Sequence, residues 1–273
     1  MGDKSDGLRM GFLGGGMMAE ALVRGLLNKD MIDPAQCWVS DVSQPRLDVM
    51  GALGLNATFD GEEVLRHTDI VVLAVKPDTA ATALEPTRST DKAHLIISIC
   101  AGVTLSSLES FVGPKTRVVR VMPNTPCLVG ATAAGYALGA KASQQDSQTV
   151  DRIFASVGLA RAVPEKLLDA VTGVSGSGPA YVYMFIEALA DGGVLNGLPR
   201  DTARALAAQV VYGTAKMVLE NPDTHVGELR NRVESPGGTT IAGTNALEQG
   251  QFRGTVMNAV SAATTRAKEM GGN

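Results

Sequence analysis

Met10-Gly-Phe-Leu-Gly-Gly-Gly-Met-Met-Ala-Glu-Ala21 is the stretch whose reading decides the fold. An apolar run over 8–13 turns directly into Gly14, Gly15 and Gly16, and then into apolar residues at helical spacing, Met18, Ala21, Leu22 and Leu26. That order predicts a strand, a tight turn and a helix. Glycines at such a junction let the backbone take positive φ and let a phosphate approach the main chain, while the unpaired N–H groups of the new helix face the anion. Gly14-x-Gly16-x-x-Ala19 thus has the form of a dinucleotide-binding fingerprint, with a small third residue where helix packs on strand.

Working outward, residues 37–40 form a short second strand ending in Ser40-Asp41-Val42-Ser43, with Arg46 close behind. A dinucleotide fold selects its cofactor here. An acid such as Asp41 takes the ribose hydroxyls of NAD, whereas Ser40, Ser43 and Arg46 suit the extra phosphate of NADP, so both cofactors stay open. The runs 69–75 (DIVVLAV), 94–100 (HLIISIC) and 117–122 (RVVRVM) are nearly uninterrupted apolar stretches, as expected of strands covered on both faces. Helical stretches at 78–84 and 105–111 lie between them, and this alternation means right-handed βαβ units and a mostly parallel sheet. Ligands of such sheets sit at the carboxyl ends of the strands, where Lys76, Pro77, Ala101 and Asn124 fall. Residues 131–138 add another strand, 143–157 a helix and 160–163 a last strand.

The character then changes, which places a domain boundary between 1–168, an α/β Rossmann domain, and 169–273, an all-α domain. Val174-Ser-Gly-Ser-Gly-Pro-Ala-Tyr181 reads as a small-residue loop feeding a helix, with Pro179 near its first position. The segment 203–219 is apolar on most faces. A helix of that kind must be buried, and in so short a domain a partner subunit is the expected cover. Ser235-Pro-Gly-Gly-Thr-Thr-Ile241 again runs into a helix, and 253–270 forms the last one. Two Gly/Ser/Thr stretches at helix starts, beside a dinucleotide domain, suit a small anionic substrate.

Composition narrows the rest. The chain has 273 residues, 45% hydrophobic and 19% charged, with a net charge of −4 and no basic stripe, so no nucleic-acid partner is expected. Cys37, Cys100 and Cys127 lack metal or redox-motif spacing and His67, His94 and His225 are scattered, so neither a disulfide framework nor a metal is expected. No apolar run is long enough to span a membrane and the first residues lack a secretory apolar core, which makes the cytoplasm the expected compartment.

Five motifs together carry a family resemblance: Gly11-Phe-Leu-Gly-Gly-Gly16, Ala74-Val-Lys-Pro77, Arg120-Val-Met-Pro-Asn-Thr-Pro126, Asp169-Ala-Val-Thr-Gly-Val-Ser-Gly-Ser-Gly-Pro-Ala-Tyr181 and Ser235-Pro-Gly-Gly-Thr-Thr-Ile-Ala242. In this order and spacing, from about Leu8 onward, the chain resembles pyrroline-5-carboxylate reductase. The resemblance implies reduction of the cyclic imine L-1-pyrroline-5-carboxylate to L-proline with NADPH or NADH, and a helical domain forming interlocked homodimers, often five to a decamer. It further implies that Leu13, Gly14, Gly15, Gly16, Met17, Met18, Ser40, Asp41, Ala74, Val75, Lys76, Pro77 and Asn124 serve the cofactor, with Ala101 beside the nicotinamide. Thr240 matches the residue placed against the substrate ring nitrogen and is the expected catalytic group. Glu165, Ser175, Gly176, Ser177, Gly178, Ser235, Gly237, Gly238 and Thr239 are the expected substrate-binding residues. Departures from the family pattern at Gly15 and Met17 are tolerable because backbone amides make the phosphate contacts, whereas those at Gly61 and Arg232, together with Asp41, leave the choice between NADH and NADPH open. The β-hydroxyacid dehydrogenases share the two-domain plan but need a lysine on the helix after the second-domain glycines, where this chain has Tyr181, Tyr183 and Glu187.

Overall fold

The computed structural model describes residues 8–271. It opens as the glycine stretch requires: β1 (Met10–Leu13), fully buried, leads into α1 (Met17–Asn28). There follow β2 (Trp38–Ser40), α2 (Gln44–Ala52), β3 (Asn56–Thr58), α3 (Gly61–His67), β4 (Ile70–Leu73), α4 (Ala80–Leu84), β5 (Leu95–Ser98), α5 (Leu105–Phe111), β6 (Arg117–Met122), β7 (Thr132–Leu138), α6 (Gln144–Phe154) and β8 (Gly158–Ala162). The helical half holds α7 (Leu168–Val171), α8 (Gly178–Leu195), α9 (Arg200–Glu220), α10 (Val226–Asn231), α11 (Thr239–Gln249) and α12 (Phe252–Met270).

The eight strands form one sheet in the order β3-β2-β1-β4-β5-β6-β7-β8. All neighbours pair in parallel except β6 with β7, so the last two strands run against the rest. The apolar runs divide by alternation. Val72, Ile97, Val119 and Val121 join Phe12, Leu22 and Phe154 in one core, while Val71, Leu73, Ile96 and Val118 join Val64, Leu84 and Leu108 in the other. Each of these strands thus feeds both layers, which is why they are mostly apolar, with Ser98 in β5 and Arg117 and Arg120 in β6 as the polar exceptions; burial of each apolar side chain contributes about 1.5–3 kcal/mol. Strand order reverses at β1, between β2 and β4, and that reversal opens the ligand crevice of a doubly wound sheet.

By contact the described chain divides after Ser177. One unit comprises the residues up to Ser177 together with 263–271, the other comprises Gly178–Ala262. The expected boundary at 168/169 marks where strands give way to helices, nine residues earlier than this contact division.

The second unit is built on the hairpin of α8 and α9, which close on Ala190, Ala203 and Ala207 with Ile186 and Val194 beside them. Small residues let the two backbones approach: a Cβ on Gly193 would stand 3.1 Å from that of Ala203. Phe185 packs on Phe252 at 5.8 Å between ring centroids, and the Tyr181 hydroxyl donates to the Ala259 carbonyl at 3.3 Å. This small core does not enclose α9. Leu206, Val210, Tyr212, Met217 and Leu219 are all more than half exposed, so the burial expected of this helix is not met within one chain.

The segment 174–181 is not the expected loop. Thr172–Gly176 forms a π-helical turn that runs on into α8, closed by the Ser177 N–H donating to the Thr172 carbonyl at 2.8 Å. The Thr172 and Ser175 hydroxyls bond back to the carbonyls of Leu168 and Val171, four residues earlier, at 3.0 Å each. Hydroxyl back-bonding of this kind lets small residues stay helical where spacing alone reads as loop.

Candidate active site

The first unit holds the glycine turn. Gly14 has φ +98°, its N–H donates to the Ser40 carbonyl at 2.8 Å, and a Cβ there would stand 2.6 Å from the Ala74 carbonyl oxygen. Only glycine satisfies both demands. The Ala74 N–H donates to the Leu13 carbonyl at 2.7 Å, which locks the ends of β1 and β4 side by side. Gly16 is the N-cap of α1 with no side-chain cap, and nothing lies within 4 Å of where its Cβ would be. Open space over uncapped amides at a helix start is the arrangement a pyrophosphate requires, so the residues present fit a dinucleotide.

Asp41, directly after β2, accepts from the Gly15 N–H at 2.7 Å and from the Ser43 N–H at 2.9 Å. Ser40 contributes its backbone carbonyl to the turn and is itself buried. Met17 is exposed and Met18 half-buried on the first turn of α1. Val75 and Lys76 lead out of β4 to Pro77, which opens a short 3-10 turn, and Ala101 is exposed after β5. The thiol of Cys100, just before it, lies 3.2 Å from the Val75 carbonyl, and burial pushes that thiol above the usual range. Cys37 and Cys127 are buried too and are pushed up to about 11, so none of the three cysteines is a thiolate nucleophile near neutrality.

Asn124, past the end of β6, is a brace. Its side-chain oxygen accepts from the Thr132 hydroxyl at 2.9 Å and the Ala133 N–H at 3.0 Å, and its amide donates to the Ser175 carbonyl at 2.9 Å. Glu165 accepts from the Leu105 N–H at 2.6 Å and from Arg120 at 2.9 Å. Sequence reasoning did not single out Arg120 as the partner of Glu165 or the side chain of Asn124 as a clamp; their presence together in the motif of residues 120–126 is the signal that could have found them.

An apolar cavity of about 370 Å³ in the same unit is bordered by Ala133, Leu159, Val163, Leu167 and Val174. Ser175 touches its wall but no glycine-turn residue does, and its apolar lining does not suit a charged ligand.

The second unit holds Ser235 to Thr240. The Gly238 N–H donates to the Ser235 carbonyl at 3.0 Å, closing a turn whose third residue, Gly237, has φ +66°. Gly238 then serves as N-cap of α11 with no side-chain cap, and Thr239 and Thr240 occupy the first helical turn. Thr240 is half-buried and Thr239 exposed. This is a carboxylate-sized donor set with a hydroxyl on its flank. Of the expected substrate-binding residues, Glu165, Ser175, Gly176 and Ser177 belong to the first unit, and Gly178, Ser235, Gly237, Gly238, Thr239 and Thr240 to the second.

A doubly wound sheet with a glycine turn at its switch point, an acid after β2 and a helical second unit defines a nicotinamide-dinucleotide oxidoreductase. A family profile described as pyrroline-5-carboxylate reductase dimerisation matches residues 165–270, and one described as NADP oxidoreductase, coenzyme F420-dependent, matches residues 9–102. The pyrroline-5-carboxylate reductase of Methanosarcina acetivorans is 45% identical over 265 residues, covering 96% of this chain and 98% of that protein. That of Arabidopsis thaliana is 43% identical over 268 residues, covering 97% and 96%. Among solved structures, a pyrroline-5-carboxylate reductase from Coxiella burnetii superposes with TM-score 0.92 at 36% identity over 97% of this chain and 99% of that one. The pyrroline carboxylate reductase of Plasmodium falciparum, with NADP bound, gives 0.82 at 40% identity over 97% and 98%. The chain belongs to the pyrroline-5-carboxylate reductase family.

Proposed function

We infer that this chain reduces the C=N bond of L-1-pyrroline-5-carboxylate to give L-proline, the last step of proline biosynthesis, using NADPH or NADH. The observation that carries the mechanism is a pair of helix starts, Gly16 before α1 and Gly238 before α11, each left without a side-chain cap and each preceded by glycines. Uncapped helix starts bind anions, and this reaction needs two anion sites, for a pyrophosphate and for a carboxylate.

The Gly14–Gly16 turn fixes the dinucleotide pyrophosphate, with Leu13, Met17, Met18 and the 74–77 segment around it and Ala101 beside the nicotinamide. Bound there, the cofactor supplies the hydride that the imine carbon accepts. The Ser235, Gly237, Gly238 and Thr239 turn holds the substrate carboxylate through backbone amides. The Thr240 hydroxyl donates to the lone pair of the neutral ring nitrogen; as hydride adds to the imine carbon and the C=N π pair moves onto that nitrogen, one proton reaches it from solvent through this hydroxyl and a second from solvent completes the ring ammonium of proline. Glu165, oriented by Arg120 and the Leu105 N–H, presents its remaining lone pairs to the cationic ring nitrogen of the product, with Ser175, Gly176, Ser177 and Gly178 shaping the wall. Asn124 acts by holding Ser175.

The dimerisation segment and the exposed apolar face of α9 support a homodimer, and we extend it to a decamer of five dimers. Three free, buried cysteines accord with a reducing compartment, and we place the enzyme in the cytoplasm. No helix among the described residues is long and apolar enough to cross a membrane. Purified protein given the imine should consume NADH or NADPH and release proline; absence of turnover with either cofactor would reject the reading. Sedimentation distinguishes dimer from decamer.

A further inference from the structure

At the adenosine end of the crevice, the positions of the charges are informative. In a doubly wound sheet the adenosine ribose lies over the end of the second strand, the position Asp41 holds. Its two oxygens are fixed separately, Oδ2 by the Gly15 N–H at 2.7 Å and Oδ1 by the Ser43 N–H at 2.9 Å. The carboxylate therefore cannot swing aside without orphaning the Gly15 amide of the glycine turn and the Ser43 amide after β2. It retains lone pairs for two more donors, such as a pair of ribose hydroxyls.

Arg46, the basic residue the sequence offers for a 2′-phosphate, is already engaged. Its Nε donates to the Gly15 carbonyl at 2.6 Å and its terminal nitrogen pairs with Glu20 at 2.7 Å, the side chains being 27% and 19% exposed. Hydrogen bonds from Arg46, then from Arg24, hold the Glu20 carboxyl below its usual range, so the partner of Arg46 stays ionised. The other position near the ribose, Gly61, carries no polar side chain; a Cβ there would meet only Leu13 at 3.3 Å and Ser40 at 3.7 Å.

We propose that Asp41 makes this chain select NADH over NADPH: its carboxylate receives the ribose hydroxyls and repels a 2′-phosphate, while Arg46, clamped between Gly15 and Glu20, is withheld from that phosphate. The proposal rests on the reductase reading only for the use of a nicotinamide dinucleotide. The NADP bound to the Plasmodium relative is a property of that protein.

The test is direct binding without imine, titrating NADH and NADPH against the fluorescence of Trp38, the single tryptophan. NADH should bind about tenfold tighter or more at low ionic strength, the order of effect expected of one extra charge pair at a partly exposed site, and the gap should narrow as salt rises. Asp41→Ser should weaken NADH and strengthen NADPH, reversing the order. Glu20→Gln, which frees Arg46, should strengthen NADPH about severalfold and move NADH less. Equal binding of the two cofactors, or tighter NADPH, overturns the proposal, as does an Asp41→Ser protein that loses both cofactors in equal proportion. If Asp41→Ser does not fold, an NADPH-to-NADH ratio unchanged in Glu20→Gln and insensitive to salt overturns it instead. A protein that prefers NADH yet never reduces the imine would reject the reductase reading and leave this proposal standing.

Discussion

The side-chain amide of Asn124 donates to the backbone carbonyl of Ser175 at 2.9 Å, tying the end of β6 to a turn 51 residues further on. The same side chain accepts from Thr132 and Ala133, so its removal strands three polar groups in a nearly dry place. Asn124→Ala should cost about 2–3 kcal/mol of stability, read as a lowered midpoint in denaturant. Asn124→Asp keeps both accepted bonds but sets a charged oxygen against the Ser175 carbonyl, and should raise the imine KM through a displaced π-helical turn. Unchanged stability in the alanine variant would show the brace to be dispensable.

Gly14 and Gly16 are three-dimensionally different glycines, and their alanine variants should separate folding from binding. At Gly14 the left-handed φ and the 2.6 Å approach of the Ala74 oxygen should make alanine cost about 1–3 kcal/mol, with weaker cofactor binding besides. At Gly16 φ is −67° and the Cβ meets nothing, so alanine should leave the melting temperature intact while filling the space over the amides and weakening the dinucleotide. A Gly16→Ala protein that binds both cofactors normally would place the pyrophosphate elsewhere.

Thr240→Ala should lower kcat for imine reduction about ten- to hundredfold, the value of one hydrogen bond made chiefly in the transition state, with the cofactor dissociation constant nearly unchanged. Thr240→Ser should recover much of the rate because it restores the hydroxyl. Loss of cofactor binding in the alanine variant would contradict the assignment of this hydroxyl to the imine nitrogen.

His94 gives the fold an acid-sensitive point. The ring is fully buried, one nitrogen 2.8 Å from the Leu65 carbonyl and Nδ1 without a hydrogen-bond partner. Burial holds its pKa below the ordinary value of 6.5. Between that lowered value and 6.5 the unfolded chain binds the proton and the native chain does not, so stability rises with pH there. The contribution is whole above about pH 6.5 and is lost as pH falls through this window. His94→Gln should flatten the melting temperature as pH falls below about 6.5, a range above the one in which Glu20 and Asp69 matter. Hydrogen bonds with Arg46 and Arg24 lower Glu20; for Asp69, burial works upward and Lys92 and Arg9 outweigh it, so both act only at more acid pH. A variant with the wild-type slope would assign the acid sensitivity to other groups.

The glycine turn, β4, β5 and β6 were legible because each is an apolar run with both faces covered, a pattern written in consecutive residues. β3 was not, because Asn56-Ala-Thr58 carries no apolar pattern and exists by pairing edgewise with Trp38 to Ser40. α2 and α3 also went unread; each buries just two apolar residues, Leu47 with Met50 and Val64 with Leu65, too few to set a period. The reversal of β7 was legible in principle: the link from Met122 to Thr132 is too short for the crossover that a parallel neighbour needs. Candidate site residues were named through motifs, but the roles of Asn124, Arg120 and Arg46 depend on partners 51, 45 and 31 residues away, distances at which local spacing carries no signal.

The return of residues 263–271 to the first unit has a kinetic consequence. The glycine turn and its sheet are made early in synthesis, yet the unit they belong to stays incomplete until the helical unit has been translated and the end of α12 has arrived. Contacts of such long sequence separation form late and slow the search for the native state. A ribosome-bound chain stopped before residue 263 should therefore already protect the sheet and its glycine turn from proteases, and gain only the last contacts of the unit when residues 263–271 arrive.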